Sequence, residues 1–569
     1  MSPARQEYQI TDDVPVLIIG GGPCGLLQAY LLAQLGVQTL LCERYPTRLD
    51  APKAHAFSPR SLELYCRLGT CRQDAFWVNF VTHLSGEQVG RLPYERMDPE
   101  VLDDTPTMIH NVPQPDFEEY VRRKLVKNPS VEIRKNHSFV RLEDFGDYVI
   151  ATIEDRAMQR EYHVKCKHLV ACDGAKSAVR RFLRVESEGE DSYETMMTIH
   201  INANLYPVLK ERVGMLHWVM DPEVSGFIIG YDLGGNQVLI CNFDSKKHPV
   251  ETWNEPLCRK TVDAAIGTHI PYDVLSHRPW VLSRKVAKSY RINRIFLAGD
   301  AAHSFPPTGG LGLNSGLGDV HNLAYKLAAI HHGWAGPSLL GTYETERRPV
   351  ALVNAAQSVK NGQQIFSLLK TMGATDPEVC IARENLYHTI ADPSHATAIN
   401  DGIEGQREHF DNLGLHIGYV YGDTRIPRCA SIYQPECVPG ARLPHAWIQP
   451  LKSVARPLIV PIDSSYVTEL SAEEVRRKQF STLDLCAFDA FTLLLDGEHA
   501  ASWRGALEEA SGQFPSGLRV NLVARGLSLM RLAKGQAVLI RPDQHILTVF
   551  DNISDADEVA EALRMHLAW

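Results

Sequence analysis

Six residues near the start of the chain have the spacing of a phosphate-binding turn. Residues 20–25 read GGGPCG and fit the pattern G-x-G-x-x-G, in which backbone amides can approach a pyrophosphate closely. Glu43 follows 18 residues after Gly25, where an acidic side chain can accept hydrogen bonds from an adenosine ribose. The pattern predicts a dinucleotide site, with these candidate cofactor-binding residues: Gly20, Gly22, Pro23, Gly25, Glu43 and the neighbouring Arg44.

This turn needs a strand before it and a helix after it, and the sequence predicts both. Residues 14–19 form a short apolar run that is typical of a buried parallel strand. Residues 24–35 have leucines at helical spacing, and residues 37–42 are a second apolar run. Together they predict a βαβ unit of about 30 residues.

The middle of the chain is rich in strand signals. Residues 198–205 alternate apolar and polar side chains, and residues 215–220 and 226–231 are also strand-like. Gly234-Gly235-Asn236 predicts a turn into a strand over 238–243. A β-rich insertion is therefore expected, after which residue 295 begins a return to α/β patterning.

The last part of the chain predicts a separate unit. Strands near 491–495 and 518–524 enclose a helix near 503–510, and a hairpin and a final helix follow. This βαβββα order is typical of a thioredoxin-like fold. Because the chain contains no C-x-x-C pair, packing or dimerisation is favoured over thiol exchange for this unit.

Composition excludes several classes of protein. The chain has 569 residues, of which 44% are hydrophobic and 22% are charged, and its net charge is −10. These values are ordinary for a globular protein and give no basic surface for nucleic acid. We find no apolar run long enough for a membrane span and no signal-peptide core, so a cytoplasmic, reducing location is expected. The twelve cysteines are scattered, which predicts neither disulfides nor a metal site.

Two later segments indicate the kind of dinucleotide. Residues 166–180 read CKHLVACDGAKSAVR, and residues 294–327 read RIFLAGDAAHSFPPTGGLGLNSGLGDVHNLAYKL. With the glycine turn, they resemble the three motifs of class A, single-component FAD-dependent aromatic hydroxylases, in the order and spacing of that family. The resemblance covers the whole chain and extends to the phenol hydroxylase-like branch, which has a thioredoxin-like C-terminal domain.

The resemblance implies an α/β fold with three parts. These are a Rossmann-type FAD-binding domain, an inserted β-rich substrate domain and a C-terminal thioredoxin-like domain. The expected bounds are 1–190 for the first part of the FAD-binding domain, 191–290 for the substrate domain, 291–400 for the returning FAD-binding part with its helices, 401–439 for a linker and 440–569 for the last domain. A homodimer is also expected from the family.

The resemblance also implies the residues that contact FAD. Asp300 would hold a ribityl hydroxyl, and Arg180 would serve the pyrophosphate or the incoming nicotinamide. The helix that opens at Leu313 has N-terminal amides that can stabilise negative charge on a reduced flavin. The remaining positions are Lys53, which stands where many relatives have arginine, and Gln114, Asp173, Gly299, Pro307, Gly310, Gly312 and Asn314.

The implied reaction is the hydroxylation of a phenol. NAD(P)H, with NADPH favoured, reduces FAD, which captures O2 as a C4a-hydroperoxide whose distal oxygen attacks an electron-rich ring. The protein must exclude water and activate the phenol. His55 is the first candidate for the base, since it stands where some relatives have an acidic residue near the flavin, and Tyr231 could orient the phenolic oxygen. A histidine that only packs on the cleft and a core tyrosine are the alternatives.

Other reactions stay open at this point. Related enzymes that epoxidise or oxidatively decarboxylate share these motifs, and an NAD(P)H:flavin oxidase or reductase is a further alternative. A halogenase is disfavoured because no W-x-W-x-I-P segment occurs. A flavin store or sensor would not need the β-rich insertion. Residues 198–243 contain no obvious cluster of arginine and lysine, which favours a neutral phenol over a benzoate. The net acidic charge gives no reason to expect a nucleic-acid or membrane partner.

Overall fold

The structure is a computed structural model of the chain that describes residues 8–47, 53–65, 77–94, 99–243, 249–423, 429–449, 461–496, 499–525, 536–551 and 556–569. Its strands are β1 (Ile10–Ile19), β2 (Thr39–Glu43), β3 (Ala56–Phe57), β4 (Trp77–Val81), β5 (Gln88–Pro93), β6 (His110–Asn111), β7 (Val131–Lys135), β8 (His137–Asp144), β9 (Val149–Asp155), β10 (Arg160–Ala171), β11 (Ser187–Ala203), β12 (Leu216–Val219), β13 (Gly226–Asp232), β14 (Asn236–Asn242), β15 (Tyr272–Ala287), β16 (Arg291–Ile292), β17 (Ile295–Leu297), β18 (His303–Ser304), β19 (Phe491–Asp496), β20 (Val520–Arg525), β21 (Ala537–Ile540) and β22 (Ile546–Phe550). Its α-helices are α1 (Pro23–Gln34), α2 (Pro59–Tyr65), α3 (Gln114–Val126), α4 (Ala178–Phe182), α5 (Tyr206–Leu209), α6 (Glu255–Ile266), α7 (Leu311–His331), α8 (Gly341–Thr371), α9 (Val379–Ala391), α10 (Ala396–Glu404), α11 (Arg407–Phe410), α12 (Leu413–Ile417), α13 (Ala472–Arg477), α14 (Ala500–Ser511) and α15 (Ala556–Leu567).

The first sheet contains the βαβ unit expected from the sequence. Its order is β16-β17-β10-β1-β2-β7, and β1 pairs in parallel with both β10 and β2. Residues 16–19 of β1 are buried, as a central parallel strand requires. Helix α1 begins at Pro23, a position where proline is tolerated because the first helical N–H groups have no partner within the helix.

The second large sheet is built from more of the chain than the expected insertion. Its order is β18-β15-β11-β14-β13-β12-β4-β5. Strands β4 and β5 come from residues before 191, and β12 pairs in parallel with β4 so that Trp218 lies opposite Phe80. Local patterning cannot reveal such a pairing, because the two strands are far apart in sequence.

Residues near the C-terminus form a four-stranded sheet of order β20-β19-β21-β22. Strand β19 is parallel to β20 and antiparallel to β21. The buried Trp503 of α14 belongs to a hydrophobic core that also contains Ala329 of α7 and Trp334. This core attaches the sheet to the end of the long helix α7.

The segment 401–439, expected to be a linker, contains α11, α12 and the end of α10. Phe410 and Leu413 are buried there, so the segment packs against the body of the protein rather than crossing solvent. Within the described ranges, none of the helices is both long enough and apolar enough to cross a membrane.

Candidate functional site

A cavity of about 570 Å³ is lined by residues from both large sheets and from the N-terminus of α7. One part of its wall contains the glycine turn, Glu43 and Arg44. Another part contains apolar side chains of β12, β13 and β14, among them Trp218 and Phe227. The volume lies within the range of small-molecule and cofactor sites.

The glycine turn has a backbone that requires glycine. Gly20 has φ +106°, and a Cβ added there would lie 2.3 Å from the carbonyl oxygen of Cys172. A Cβ on Gly25 would lie 1.9 Å from the carbonyl oxygen of Gly20, so only glycine allows this close approach. Gly25 itself is not part of the cavity lining. Gly22 precedes α1, and no side chain caps that helix. Uncapped N–H groups and the helix dipole favour an anion there.

Glu43 at the end of β2 holds the start of this turn. One carboxylate oxygen accepts a hydrogen bond of 2.7 Å from Gly21 N, and the other accepts one of 2.9 Å from Tyr45 N. The side chain is buried and lines the cavity. The guanidinium of Arg44 lies over the Tyr45 ring, and Lys53 is an exposed part of the cavity wall.

Asp173 presents an unsatisfied polar atom in the cavity wall. Its Oδ2 accepts hydrogen bonds from Ala178 N at 2.7 Å and Val179 N at 3.2 Å. Its Oδ1 is buried and has no hydrogen-bond partner among the described residues. Because such an atom is costly unless it is paired, this oxygen indicates a ligand.

The two later motifs meet through Arg180. Its guanidinium donates hydrogen bonds of 2.6 Å to the carbonyl oxygens of Ala301 and Ala175. Arg180 therefore ties the two segments together and does not line the cavity. Asp300 lies in the cavity wall and is exposed, and its carboxylate accepts no hydrogen bond from the part of the chain that the structure describes. Gly299 lies behind it, where an added Cβ would be 2.6 Å from Cys24 Sγ.

The N-terminus of α7 is a second uncapped helix end in the cavity. Gly310 precedes the helix with φ +63° and has no side-chain cap. An added Cβ on Gly312 would meet nothing within 4 Å. The neighbouring lining residues include Pro307 and Leu313.

The side chains of Asn314 and Gln114 both form hydrogen bonds with other residues of the chain. The Asn314 carbonyl accepts hydrogen bonds from Ser58 N at 3.0 Å and Ser61 Oγ at 2.7 Å, and its amide donates to the carbonyl oxygens of Ala56 and Gly310. Asn314 therefore fixes the segment around residue 56 against α7 rather than lining the cavity. Gln114 lines the cavity and donates a 2.7 Å hydrogen bond to Glu118 Oε1.

His55 is buried in the cavity wall. Its Nδ1 lies 3.1 Å from Asn111 Oδ1, and the Asn111 amide donates to the carbonyl oxygen of Gly230. The Tyr231 ring contacts His55 edge to face, with ring centroids 5.4 Å apart. Burial lowers the pKa of His55 to about 4 and raises that of Tyr231. Tyr231 lies behind His55, outside the cavity lining, and its hydroxyl has no partner among the described residues.

Sequence reasoning missed the contribution of the segment 401–439. His409 and Phe410 line the cavity, as does Tyr94. The His409 ring stacks on Phe410 and meets Trp218 edge to face, with centroids 5.5 Å apart. No local motif marks these residues. His217, the neighbour of Trp218 on β12, does not line the cavity. It is buried, and its Nε2 lies 3.0 Å from Gly214 O.

Comparisons with known proteins identify the family of the chain. A family model described as an FAD binding domain matches residues 13–358. The chain belongs to this family of class A FAD-dependent aromatic hydroxylases.

Individual relatives match nearly the full chain. The chain is 32% identical to the tetracenomycin B2 monooxygenase-dioxygenase of Streptomyces olivaceus, over 96% of this chain and 97% of that one. It is 28% identical to the 2,4-dichlorophenol 6-monooxygenase of Delftia acidovorans, over 94% of each. The crystal structure of the flavin-dependent monooxygenase PieE with FAD and substrate aligns with a TM-score of 0.87 at 26% identity, over 98% of this chain and all of that one.

The residues present in this FAD-dependent aromatic monooxygenase fit FAD. The cavity offers two uncapped helix N-termini, one at Gly22 and one at Gly310, and a buried unpartnered oxygen on Asp173. A dinucleotide with a negative pyrophosphate and hydrogen-bonding ribityl hydroxyls supplies partners for such groups. The apolar wall of the same cavity suits the face of an aromatic ring.

Proposed function

We propose that this enzyme uses NAD(P)H, with NADPH favoured, and O2 to hydroxylate a neutral phenolic ring. The observation that carries the proposal is one cavity whose lining contains the FAD-fitting glycine turns, His55 and the aromatic side chains of β12 and β13. Bound and reduced FAD would supply the activated oxygen. The protein would supply binding, orientation, a dry environment and a proton acceptor.

The proposed cofactor contacts divide by position. Lining residues would touch FAD directly: Gly20, Gly22, Pro23, Glu43, Arg44, Lys53, Gln114, Asp173, Asp300, Pro307, Gly310, Gly312 and Leu313. Gly25, Arg180, Gly299 and Asn314 would act by fixing the backbone around them. Arg180 in particular would hold the position of Asp300 rather than bind the pyrophosphate.

His55 would act on the phenolic hydrogen. Because Asn111 Oδ1 accepts from Nδ1, the lone pair of the neutral ring lies on Nε2. Nε2 makes no hydrogen bond within the described ranges, and the residue lines the cavity. A phenol is a poor nucleophile while protonated at its ordinary pKa of about 10. A hydrogen bond from its hydroxyl to Nε2 weakens the O–H bond and makes the ring more electron-rich. Tyr231 would keep the His55 ring in place by packing.

The substrate class follows from the part of the cavity wall that β12, β13, β14 and α11 form. The described lining from β12 to β14 and α11 is apolar or aromatic apart from His409, and it contains no lysine or arginine. A carboxylate would find no charged partner there, whereas a neutral phenol would lose little by desolvation. The named relatives act on a dichlorophenol and on tetracenomycin B2, which supports a phenolic substrate.

The proposal includes the division of the chain into domains and its oligomeric state. We assign the C-terminal sheet and its two helices to a thioredoxin-like domain, since β19-α14-β20 is parallel and β21-β22-α15 continues antiparallel. We assign 1–190, apart from β4 and β5, together with 291–400 to the FAD-binding domain, and 191–290 with β4 and β5 to the substrate domain. A homodimer remains a prediction from the family.

The test is a set of turnover measurements on the FAD-loaded enzyme. NADPH oxidation, H2O2 release and product formation would be followed with and without a panel of neutral phenols and matched benzoates. NADPH oxidation that rises with a phenol and matches hydroxylated product supports the proposal. Fast NADPH oxidation with stoichiometric H2O2 and no response to any phenol would indicate an oxidase instead. An epoxide or a decarboxylated product would assign the related alternatives.

A further inference from the structure

His409 has polar atoms without protein partners inside the cavity. The side chain is only 4% exposed, and its Nδ1 is buried without a hydrogen-bond partner. Neither ring nitrogen makes a hydrogen bond within the part of the chain that the structure describes. Burial lowers the pKa of His409 to about 3, so the ring is neutral and has one donor and one acceptor. Buried groups of this kind are normally paired.

The His409 ring is held in a fixed position by its neighbours. It stacks on Phe410 with centroids 4.3 Å apart and an interplanar angle of 7°, and Trp218 closes its edge. The backbone is fixed as well, because His409 N donates to Gln406 O and its own carbonyl accepts from the Asn412 amide. The unsatisfied nitrogens therefore belong to a fixed ring rather than to a mobile side chain.

His409 and His55 contact different residues of the paired strands β12 and β13. His409 contacts Trp218, which pairs with Phe227 across strands β12 and β13, whereas His55 contacts Tyr231 on the same strand. Phe227 and Tyr231 are four residues apart on β13, which corresponds to about 13 Å along a strand. The two histidines therefore contact side chains at different positions along the β12–β13 pair.

We propose that His409 binds a second, uncharged oxygen of the substrate, a hydroxyl or carbonyl remote from the phenolic oxygen at His55. This inference rests on the proposed function and deepens it, since it names the substrate class as a phenol of two or more rings with oxygens at both ends. An oxygen adjacent to the phenolic one would not reach His409. A single-ring phenol would leave the His409 nitrogens unpaired.

Three naphthols provide matched probes for this inference. 2-Naphthol has one hydroxyl, 2,3-dihydroxynaphthalene adds an adjacent one, and 2,6-dihydroxynaphthalene adds a remote one. Their dissociation constants would be measured by calorimetry on the FAD-loaded wild type and on His409→Phe and His409→Gln. FAD content and melting temperature of each variant would confirm that the fold is retained.

The wild type is expected to bind 2,6-dihydroxynaphthalene about 2- to 12-fold more tightly than the other two, the range for one neutral hydrogen bond. His409→Phe should abolish this preference without weakening 2-naphthol binding, and His409→Gln should retain part of it. An equal loss for all three probes would show a packing role and overturn the inference, as would a wild type without the preference. Hydroxylation of 2-naphthol, measured separately, would show that the proposed function survives such a failure.

Discussion

His55 and Asn111 are joined by a 3.1 Å hydrogen bond that sets the tautomer of the histidine. The Asn111 amide nitrogen donates to Gly230 O at 3.1 Å, so its carbonyl oxygen faces His55 and must accept from Nδ1. The lone pair on Nε2 is then directed away from this pair. Since burial lowers the pKa of His55 to about 4, the ring keeps this acceptor at neutral pH.

The first prediction concerns His55→Ala. We expect the hydroxylation rate to fall by about 100-fold or more, the usual range for a lost acid–base group. Flavin reduction by NADPH should change little, because it does not involve the phenolic hydrogen. Stopped-flow measurement of the two half-reactions separates these steps.

Tyr231→Phe is the matched control for that variant. Its hydroxyl has no partner among the described residues and lies outside the cavity lining, so its removal should leave hydroxylation within about threefold of wild type. If His55→Ala kept the wild-type hydroxylation rate and pH profile, the assignment of His55 would be wrong. A large loss in Tyr231→Phe would move the assignment to the tyrosine.

The second prediction compares two glycines. Gly312→Ala should fold normally, because its Cβ meets nothing within 4 Å and alanine is the better helix former. It should nevertheless weaken FAD binding by about 5-fold or more, because the methyl group takes space in the cavity. Flavin fluorescence titration of the apoprotein measures the dissociation constant.

Gly299→Ala, in contrast to Gly312→Ala, should destabilise the fold. Its φ is +59° and its Cβ would lie 2.6 Å from Cys24 Sγ, so we expect a loss of about 1–3 kcal/mol in stability. The melting temperature without FAD should fall for Gly299→Ala and not for Gly312→Ala. Equal melting temperatures with unchanged FAD affinity in both variants would contradict the proposed cofactor contacts.

Features formed by contiguous residues could be predicted from the sequence, whereas features formed by residues far apart in the chain could not. The βαβ unit was predictable because its glycine turn and its apolar runs are contiguous, and the comparisons confirm the FAD-binding family. The pairing of the distant strands that build the aromatic wall was not predictable. Asn79 and His217 are 138 residues apart yet approach to 3.4 Å, and no local pattern shows that β4 and β12 pair. His409 was missed for the same reason, since only tertiary packing brings residues 401–439 to the cavity.

The third prediction is that acid destabilises the fold already between pH 6.5 and 5. His168 is an example: its Nε2 lies 3.4 Å from Arg294 Nη1, and burial followed by the arginine charges lowers its pKa from 6.5 to about 3. The unfolded chain therefore binds the proton first as pH falls. The stability that the neutral histidine provides is complete above pH 6.5 and is lost toward pH 3, at up to about 1.4 kcal/mol per pH unit.

His168→Leu tests this sign. The variant should show a smaller decrease in melting temperature between pH 7 and pH 5 than the wild type, since one proton-linked site is gone. Thermal melting at several pH values in constant salt measures the slope. An unchanged slope, or a wild type that becomes more stable toward pH 5, would refute the prediction.

The fourth prediction concerns the buried charges that join the C-terminal sheet to α8. Arg541 donates to the two Glu346 oxygens at 2.7 and 2.9 Å and to the two Asp543 oxygens at 3.0 and 2.5 Å. Lys326 reaches the same Glu346 at 2.7 Å. Arg541→Met should destabilise the protein by about 3–5 kcal/mol, because it leaves a buried carboxylate without its cation.

Arg141→Met is the surface control. Its partner Glu161 lies 2.9 Å away and both side chains are almost half exposed, so the loss should be about 0–1 kcal/mol. Urea unfolding followed by tryptophan fluorescence should show a much lower midpoint for Arg541→Met than for Arg141→Met. Adding Asp543→Asn to Arg541→Met should recover part of the loss, because it removes the carboxylate that the missing arginine leaves unpaired. Equal midpoints for the two arginine variants would mean that the C-terminal sheet is attached by apolar packing alone.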